Sequence, residues 1–335
     1  ALLSVAGYTI TEANAPGFNV TKDKDTGTIS TSESDVLFVN DRQTGKLKLS
    51  KELLNPETAS DADKNQLFTF HVKLSDAGIN GRFAKNADGS NNTSKPYGVN
   101  FTNGEVAVTL KHGQSITIDN LPTTITYTVT EDDAPGFVLY GKVGDKGTIS
   151  TTQSDVVFTN MKPDKPTFDK KIKDVNDSTG QESGWQDSAD YDIGDDVPYR
   201  LRATLSKDVT SYKKYHVTFT DQMEQSLDFN EGSVQVLLNG VPNDKAADSE
   251  AENGKYRIIE SGDHKFAIQV DWLGEGDEPI ATQGLNNGTV EVLFTAKLND
   301  KAKFGKEGNV NACKLSYSNN PNNDKQTKDT PWDYV

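Results

Sequence analysis

Apolar and polar residues alternate over short runs along most of the chain. Phe68, Phe70, Val72 and Leu74 occupy every second position, as do Val106, Val108 and Leu110, and then Ile125, Tyr127 and Val129. A period of two predicts strands with one face on a core and the other in water. Gly, Asn and Asp clusters such as NADGSNN interrupt the runs. Helical periodicity is missing, although Pro56–Lys64 has room for a short helical turn. The segment KPDKP, Lys162–Pro166, reads as a stiff linker, because proline blocks strand pairing. Beyond it alternation resumes in Ile193, Val197, Tyr199 and Leu201, in Tyr215, Val217 and Phe219, in Val290, Val292 and Phe294, and in Cys313, Leu315 and Tyr317. The pattern predicts an all-β chain of tandem sandwiches, the last one larger. The polar tail NNPNNDKQTKDTPWDYV is expected to be a linker.

Two segments repeat. Residues 8–40 read YTITEANAPGFNVTKDKDTGTISTSESDVLFVN and residues 127–160 read YTVTEDDAPGFVLYGKVGDKGTISTTQSDVVFTN. They share the TE pair, APGF, GTIS, SDV and a final Asn, and differ in length by one residue. A duplication accounts for this. The second copy is preceded by a long segment beginning near Gln43, whereas only eleven residues precede Glu12. Residues 1–42 therefore read as the rear part of a domain whose front half is absent, 43–161 as a complete domain, and 162–335 as a third domain with a C-terminal linker.

Composition narrows the function. Of 335 residues, 50 are acidic and 35 basic, giving a net charge of -15. Duplex nucleic acid and anionic membranes both require a cationic surface, so neither is expected as a partner. No apolar run reaches the length of a spanning helix, and neither a signal peptide nor a wall-anchoring tail is visible. The single cysteine, Cys313, has no internal partner for a disulfide. The four histidines lack metal-ligand spacing, and DKDTG at Asp23–Gly27 lacks the distal acid of a calcium loop. No nucleotide, metalloprotease or serine-hydrolase motif occurs. An enzyme is thus disfavoured, and no cofactor or metal is expected.

More informative are polar residues that continue apolar faces. Lys51 follows Leu47 and Leu49, Glu131 follows Tyr127 and Val129, and Asn160 follows Val156 and Phe158. Buried together, they have a specific chemistry. Burial lowers a lysine's pKa toward the neutral, nucleophilic amine. A buried glutamic acid stays protonated and polarises the Asn carboxamide, and attack then joins Lys to Asn with loss of ammonia. Taken singly, each residue also fits a strand end with its polar tip in water. The repeat places Glu12 and Asn40 at the corresponding positions of the first copy.

LKLSK at 47–51, VTEDDAPGF at 129–137 and VVFTN at 156–160 resemble the B-type (Cna-B) repeat of Gram-positive collagen adhesins and surface pilins. The resemblance implies a small Ig-like or transthyretin-like sandwich with an isopeptide triad of Lys51, Glu131 and Asn160, Glu131 being the catalytic acid. Lys48 is a weaker candidate, on the opposite face. For the first copy the resemblance implies a helper, Glu12, and an orphan acceptor, Asn40. PTFDKKIKD, YDIGDDVPYRLRATL, YHVTFTDQMEQSLDF and GNVNACKLSYSNNP in residues 166–321 resemble the fimbrial isopeptide-forming D2 domain. There the implied set is Lys170, Asp221 and Asn311, with Asn319 as runner-up, and Cys313 a packing residue. The expected protein is a stalk segment of a cell-wall-anchored pilin or adhesin on a Gram-positive surface, crosslinked autocatalytically. Its implied partners are neighbouring domains or subunits joined by sortase, and a host extracellular-matrix or cell-surface ligand. GRFAKNADGSNNTSKPYGVN at 81–100 is the candidate ligand loop. No YPKN-type or LPxTG-type motif is visible.

Overall fold

A computed structural model describes residues 6–80, 84–85, 99–175, 179–247, 250–305 and 307–335. Most of the candidate ligand loop at 81–100 lies outside the described residues. The chain divides into two compact units, Ala1–Lys162 and Pro163–Val335. The division falls between Lys162 and Pro163, and residues 1–42 lie within the first unit. No described helix is long and apolar enough to cross a membrane.

In the first unit the strands are β1 (Gly7–Thr9), β2 (Phe18–Asp23), β3 (Thr26–Thr28), β4 (Leu37–Arg42), β5 (Thr44–Leu53), β6 (Phe68–Leu74), β7 (Ala84–Lys85), β8 (Glu105–Leu110), β9 (Ser115–Pro122), β10 (Thr126–Glu131), β11 (Val138–Val143), β12 (Lys146–Thr148) and β13 (Ser154–Met161). Two sheets, β12-β10-β6-β8 and β11-β13-β5-β9-β7, form a sandwich. Its core is built from the alternating residues, with Leu47, Leu49, Phe70, Val72, Val129 and Val156 fully buried. The short helix α1, Asp61–Lys64, is closed by a capping box in which Ser60 and Asp63 satisfy each other's backbone amides. First and last strands β5 and β13 lie side by side in parallel, with Lys51 opposite Phe158 and Leu53 opposite Asn160.

The repeat is a repeat of structure. In both copies a tyrosine pairs across strands with a glycine, Tyr8 with Gly27 and Tyr127 with Gly147. A Cβ on either glycine would collide with the tyrosine ring, so the pair requires glycine. The extra residue of the second copy is a bulge at Tyr140, where the β11–β13 register shifts between Leu139 and Gly141. The copies differ in their neighbours. Among the described residues β1 pairs only with β3 and β4 only with β2, whereas β10 and β13 also pair with β6 and β5.

The second unit comprises β14 (Thr167–Val175), β15 (Glu182–Gln186), β16 (Asp196–Thr204), β17 (Lys214–Met223), β18 (Leu227–Leu238), β19 (Val241–Asn243), β20 (Tyr256–Gly262), β21 (Lys265–Leu273), β22 (Thr289–Leu298), β23 (Asn311–Ser318), β24 (Thr327–Asp329) and β25 (Asp333–Tyr334). One sheet runs β15-β14-β16-β22-β18-β19 and the other β20-β21-β17-β23-β24, with β25 also on β23. Phe229, Phe266 and Phe294 interlock between them, with ring centroids 4.5–5.8 Å apart. Two expectations are corrected here. Ile193 lies outside β16 and is exposed, because the strand starts only at Asp196. The tail is not a free linker: β24 and β25 cover stretches of β23 that would otherwise leave backbone groups unpaired.

Candidate functional sites

Lys51 is wholly buried on β5. Its Nζ stands 4.1 Å from the centre of the Phe68 ring, 4.0 Å from Glu131 Oε1, and donates to the Glu52 carbonyl at 2.5 Å and the Phe158 carbonyl at 3.5 Å. Asn160, on the neighbouring strand β13, is also buried. Glu131 comes from the other sheet: β10 carries it across the core, opposite Phe70 of β6. The Asn160 side chain hydrogen-bonds to the Glu131 carboxyl, while Glu131 Oε1 and Asn160 Oδ1 complete no hydrogen bond of their own.

Desolvation dominates the electrostatics. It lowers Lys51 to about 8, against the opposing pull of Glu131 and Glu52. It raises Glu131, against the opposing effects of Lys51 and Asn160. Both shifts favour the pair without charge, which holds the same single proton as the ion pair but places it on the acid. A half-turn of the Asn160 carboxamide, which exchanges two groups of similar size, would present its oxygen to that acid. Lys48 lies on the other face of β5, since Ser50, Lys48 and Lys46 alternate with the buried residues.

In the second unit Lys170, Asp221 and Asn311 are each fully buried. Lys170 Nζ donates to Asp221 Oδ2 and stands 5.3 Å and 5.6 Å from the ring centres of Tyr199 and Phe294. Burial pushes Asp221 up to about 6 although Lys170 and Asn311 both hold it down. Asn311 sits against Asp221, yet neither end of its carboxamide completes a well-aligned hydrogen bond, and Asp221 Oδ1 is also unpartnered. Buried polar atoms without partners are costly, so the unpartnered Asp221 and Asn311 atoms call for an explanation. Asp221 is registered opposite Cys313, two residues from Asn311 but six from Asn319. At about 3.3 Å per residue, Asn319 is roughly 20 Å further along the strand. The Cys313 thiol is buried and its pKa is pushed well up by desolvation, as suits a packing residue.

The two sites differ in layout. In the first unit Lys and Asn sit on adjacent strands of one sheet and the acid reaches over from the other. In the second, Lys170 reaches from one sheet to the acid and the Asn on the other. Sequence reasoning missed Asp333, which accepts the Lys170 backbone amide at 2.7 Å and so ties β25 to the lysine strand. It also missed His112, whose Nδ1 accepts from the Leu53 amide at 3.0 Å beside the Lys51 site. Neither lies in an alternating run, so periodicity carries no signal for them. In the first copy Asn40 Nδ2 donates to Glu12 Oε1 at 2.6 Å, and both residues are exposed. Among the described residues, no group of three or more His, Cys, Asp or Glu is placed to hold a metal ion.

Residues 45–162, about a third of the chain, match a family described as a domain of unknown function, DUF7601. Platelet adherence protein A of Streptococcus gordonii is 23% identical over 227 residues, which are 68% of this chain. The chain spans 5% of the length of that relative. Solved structures similar to it include BcpA, the major pilin subunit of Bacillus cereus, at 17% identity, covering 88% of this chain and 69% of that one with a TM-score of 0.42. The RrgB pilus protein of Streptococcus pneumoniae is 16% identical, with 83% and 49% covered and a TM-score of 0.38. The major pilin SpaD of Corynebacterium diphtheriae is 18% identical, with 87% and 65% covered and a TM-score of 0.35.

Proposed function

We propose that the chain is a stalk segment of a Gram-positive pilin or adhesin, exported and held at the cell wall, whose sandwiches are closed by Lys51–Asn160 and Lys170–Asn311 amide bonds. The observation that carries this reading is the Lys51 environment: a fully buried amine, its pKa lowered to about 8, beside an acid whose pKa is raised and a buried carboxamide. The uncharged amine attacks Cγ of Asn160. Glu131, protonated, donates to the carboxamide oxygen, accepts the amine proton as the tetrahedral centre forms, and passes it to the departing Nδ2. The Nζ–Cγ bond forms, the Cγ–Nδ2 bond breaks, ammonia leaves, and the acid ends as it began. Asp221 does the same for Lys170 and Asn311. Proximity in the folded core replaces a diffusional encounter, so each reaction happens once per molecule and needs no cofactor.

Intact-protein mass spectrometry tests this directly. Two ammonia losses are expected, one per complete site, and an unmodified mass overturns the proposal. Host attachment is a second reading, favoured by the similarity to a protein named for platelet adherence. Binding of the chain to arrayed matrix proteins distinguishes an adhesive segment from a spacer. Covalent joining to neighbouring subunits by sortase would be read from ladders of linked chains on the cell surface.

A further inference from the structure

One peptide group receives the Lys51 amine, and a histidine grips that group from its other side. We infer that His112 is a positioning residue for the Lys51–Asn160 reaction, holding the Glu52 carbonyl on the lysine amine. This rests on the crosslinking reading above and adds a residue to it.

The main chain around Lys51 is clasped by the turn between β8 and β9. The Lys51 amide donates to the Gln114 carbonyl at 3.0 Å, and the Gly113 amide donates to the Lys51 carbonyl at 2.9 Å. Gly113 has a φ of +73°, the left-handed conformation that glycine adopts without strain. β9 begins at Ser115, opposite Ser50, so the ladder on that side of β5 has ended before Leu53. Past that end the buried Leu53 amide needs another acceptor. His112 supplies it: Nδ1 takes the Leu53 N–H at 3.0 Å. The next amide, that of Leu54, donates to the Asn160 carbonyl at 2.9 Å. Among these contacts only the histidine's comes from a side chain.

The Leu53 N–H and the Glu52 carbonyl belong to one planar peptide, and a trans peptide points them in opposite directions. Fixing the first therefore fixes the second. The Glu52 carbonyl accepts from Lys51 Nζ at 2.5 Å, and the Phe158 carbonyl stands 3.5 Å from the same atom. An uncharged amine has two N–H groups and one lone pair. With its N–H groups on those two carbonyls, the lone pair is left for Cγ of Asn160. Without His112 the Leu53 amide must tilt toward another acceptor, and the carbonyl across the peptide turns with it. Nδ1 accepts only while it carries no proton, since a protonated ring would donate instead to the Glu52 carboxylate, 3.2 Å away.

The test is kinetic. The full chain is made by cell-free synthesis, quenched in acid at intervals and digested, and each crosslinked peptide is measured by mass against its unlinked form. Lys170–Asn311 in the same molecules is the internal clock. His112→Leu keeps the bulk and loses the acceptor. It should slow Lys51–Asn160 formation roughly 10- to 100-fold relative to that clock, the scale of a misaligned nucleophile. His112→Asn offers Oδ1 in place of Nδ1 and should restore the parental rate. A parental rate in His112→Leu overturns the inference, as does a His112→Asn that is equally slow. In an Asn160→Ala background, where the first bond cannot form, the two variants should melt within a few degrees of each other. A wider gap assigns the slowing to stability and also overturns the inference. Absence of both crosslinks from the parent chain overturns the crosslinking reading itself.

Discussion

Glu131→Gln keeps the shape of the acid but removes its ability to relay a proton. Glu131 lies beside both Lys51 and Asn160 and is the proposed proton relay, so the bond should not form in this variant. Its mass should exceed that of the parent by one ammonia, after allowing for the substitution. Lys51 and Asn160 enclose a loop of about 110 residues, and a crosslink over such a loop restricts the unfolded chain by roughly 4–5 kcal/mol. For a domain of this size each kcal/mol moves the melting point by about 3–5 °C, so the first unit should melt about 15–20 °C lower. Differential scanning calorimetry resolves the loss if the second unit melts separately, since its own site is untouched. Glu105→Gln, which removes only an exposed partner of Lys73, should keep both the bond and the melting point within a few degrees. Retention of both ammonia losses in Glu131→Gln would refute the assigned role. A lost bond with a melting point shifted by only a few degrees would refute the loop-entropy account.

Asn311→Ala should restore one ammonia to the mass, and Asn319→Ala should leave it unchanged; the reverse result would move the acceptor to the far end of β23. In Asn311→Ala, which cannot crosslink, Asp221 titrates. With Asn311 in place burial raises it from 3.8 to about 6, and the substitution removes a hydrogen bond that holds it down, so its contribution to stability is fully present below pH about 3.8 and lost as the pH rises through about 6 and above. Denaturant midpoints measured from pH 3 to 8 check the sign. Asp333→Ala removes the acceptor of the Lys170 amide and should lower the melting point of the second unit, by a few degrees for roughly 1 kcal/mol, without preventing the bond. Cys313 should resist alkylation in the native chain and react at once in denaturant, as read by mass.

Much of this was legible in the primary structure because burial enforces the period of two. Lys51 and Asn160 stand out for continuing runs whose other members are Leu, Val and Phe. The same logic ranked Lys48 below Lys51, and the strand indeed turns Lys48 outward. What periodicity lacks is partner information. It could not place Glu131 on the facing sheet rather than beside Lys51, nor show that in the second unit Lys170 reaches across sheets instead. The tail was misread for a related reason. Lys328, Asp329 and Tyr334 pair through their backbones at an edge, so their side chains stay wet and carry no apolar alternation. Ile193 shows the converse error, an apolar residue in phase with a strand that has not yet begun.

The side-by-side, parallel placement of β5 and β13 bears on how a pulled filament would yield. With Lys51 joined to Asn160, tension entering at Thr44 crosses to the last strand after eight residues and leaves at Met161, so the hundred or so residues between never feel it. The second unit is wired differently. The proposed Lys170–Asn311 link would end at the start of β23, so β23, β24 and β25 would remain in series with the load. Under stretch those tail strands would peel first, acting as a short extensible fuse while a core closed by that link would stay shut.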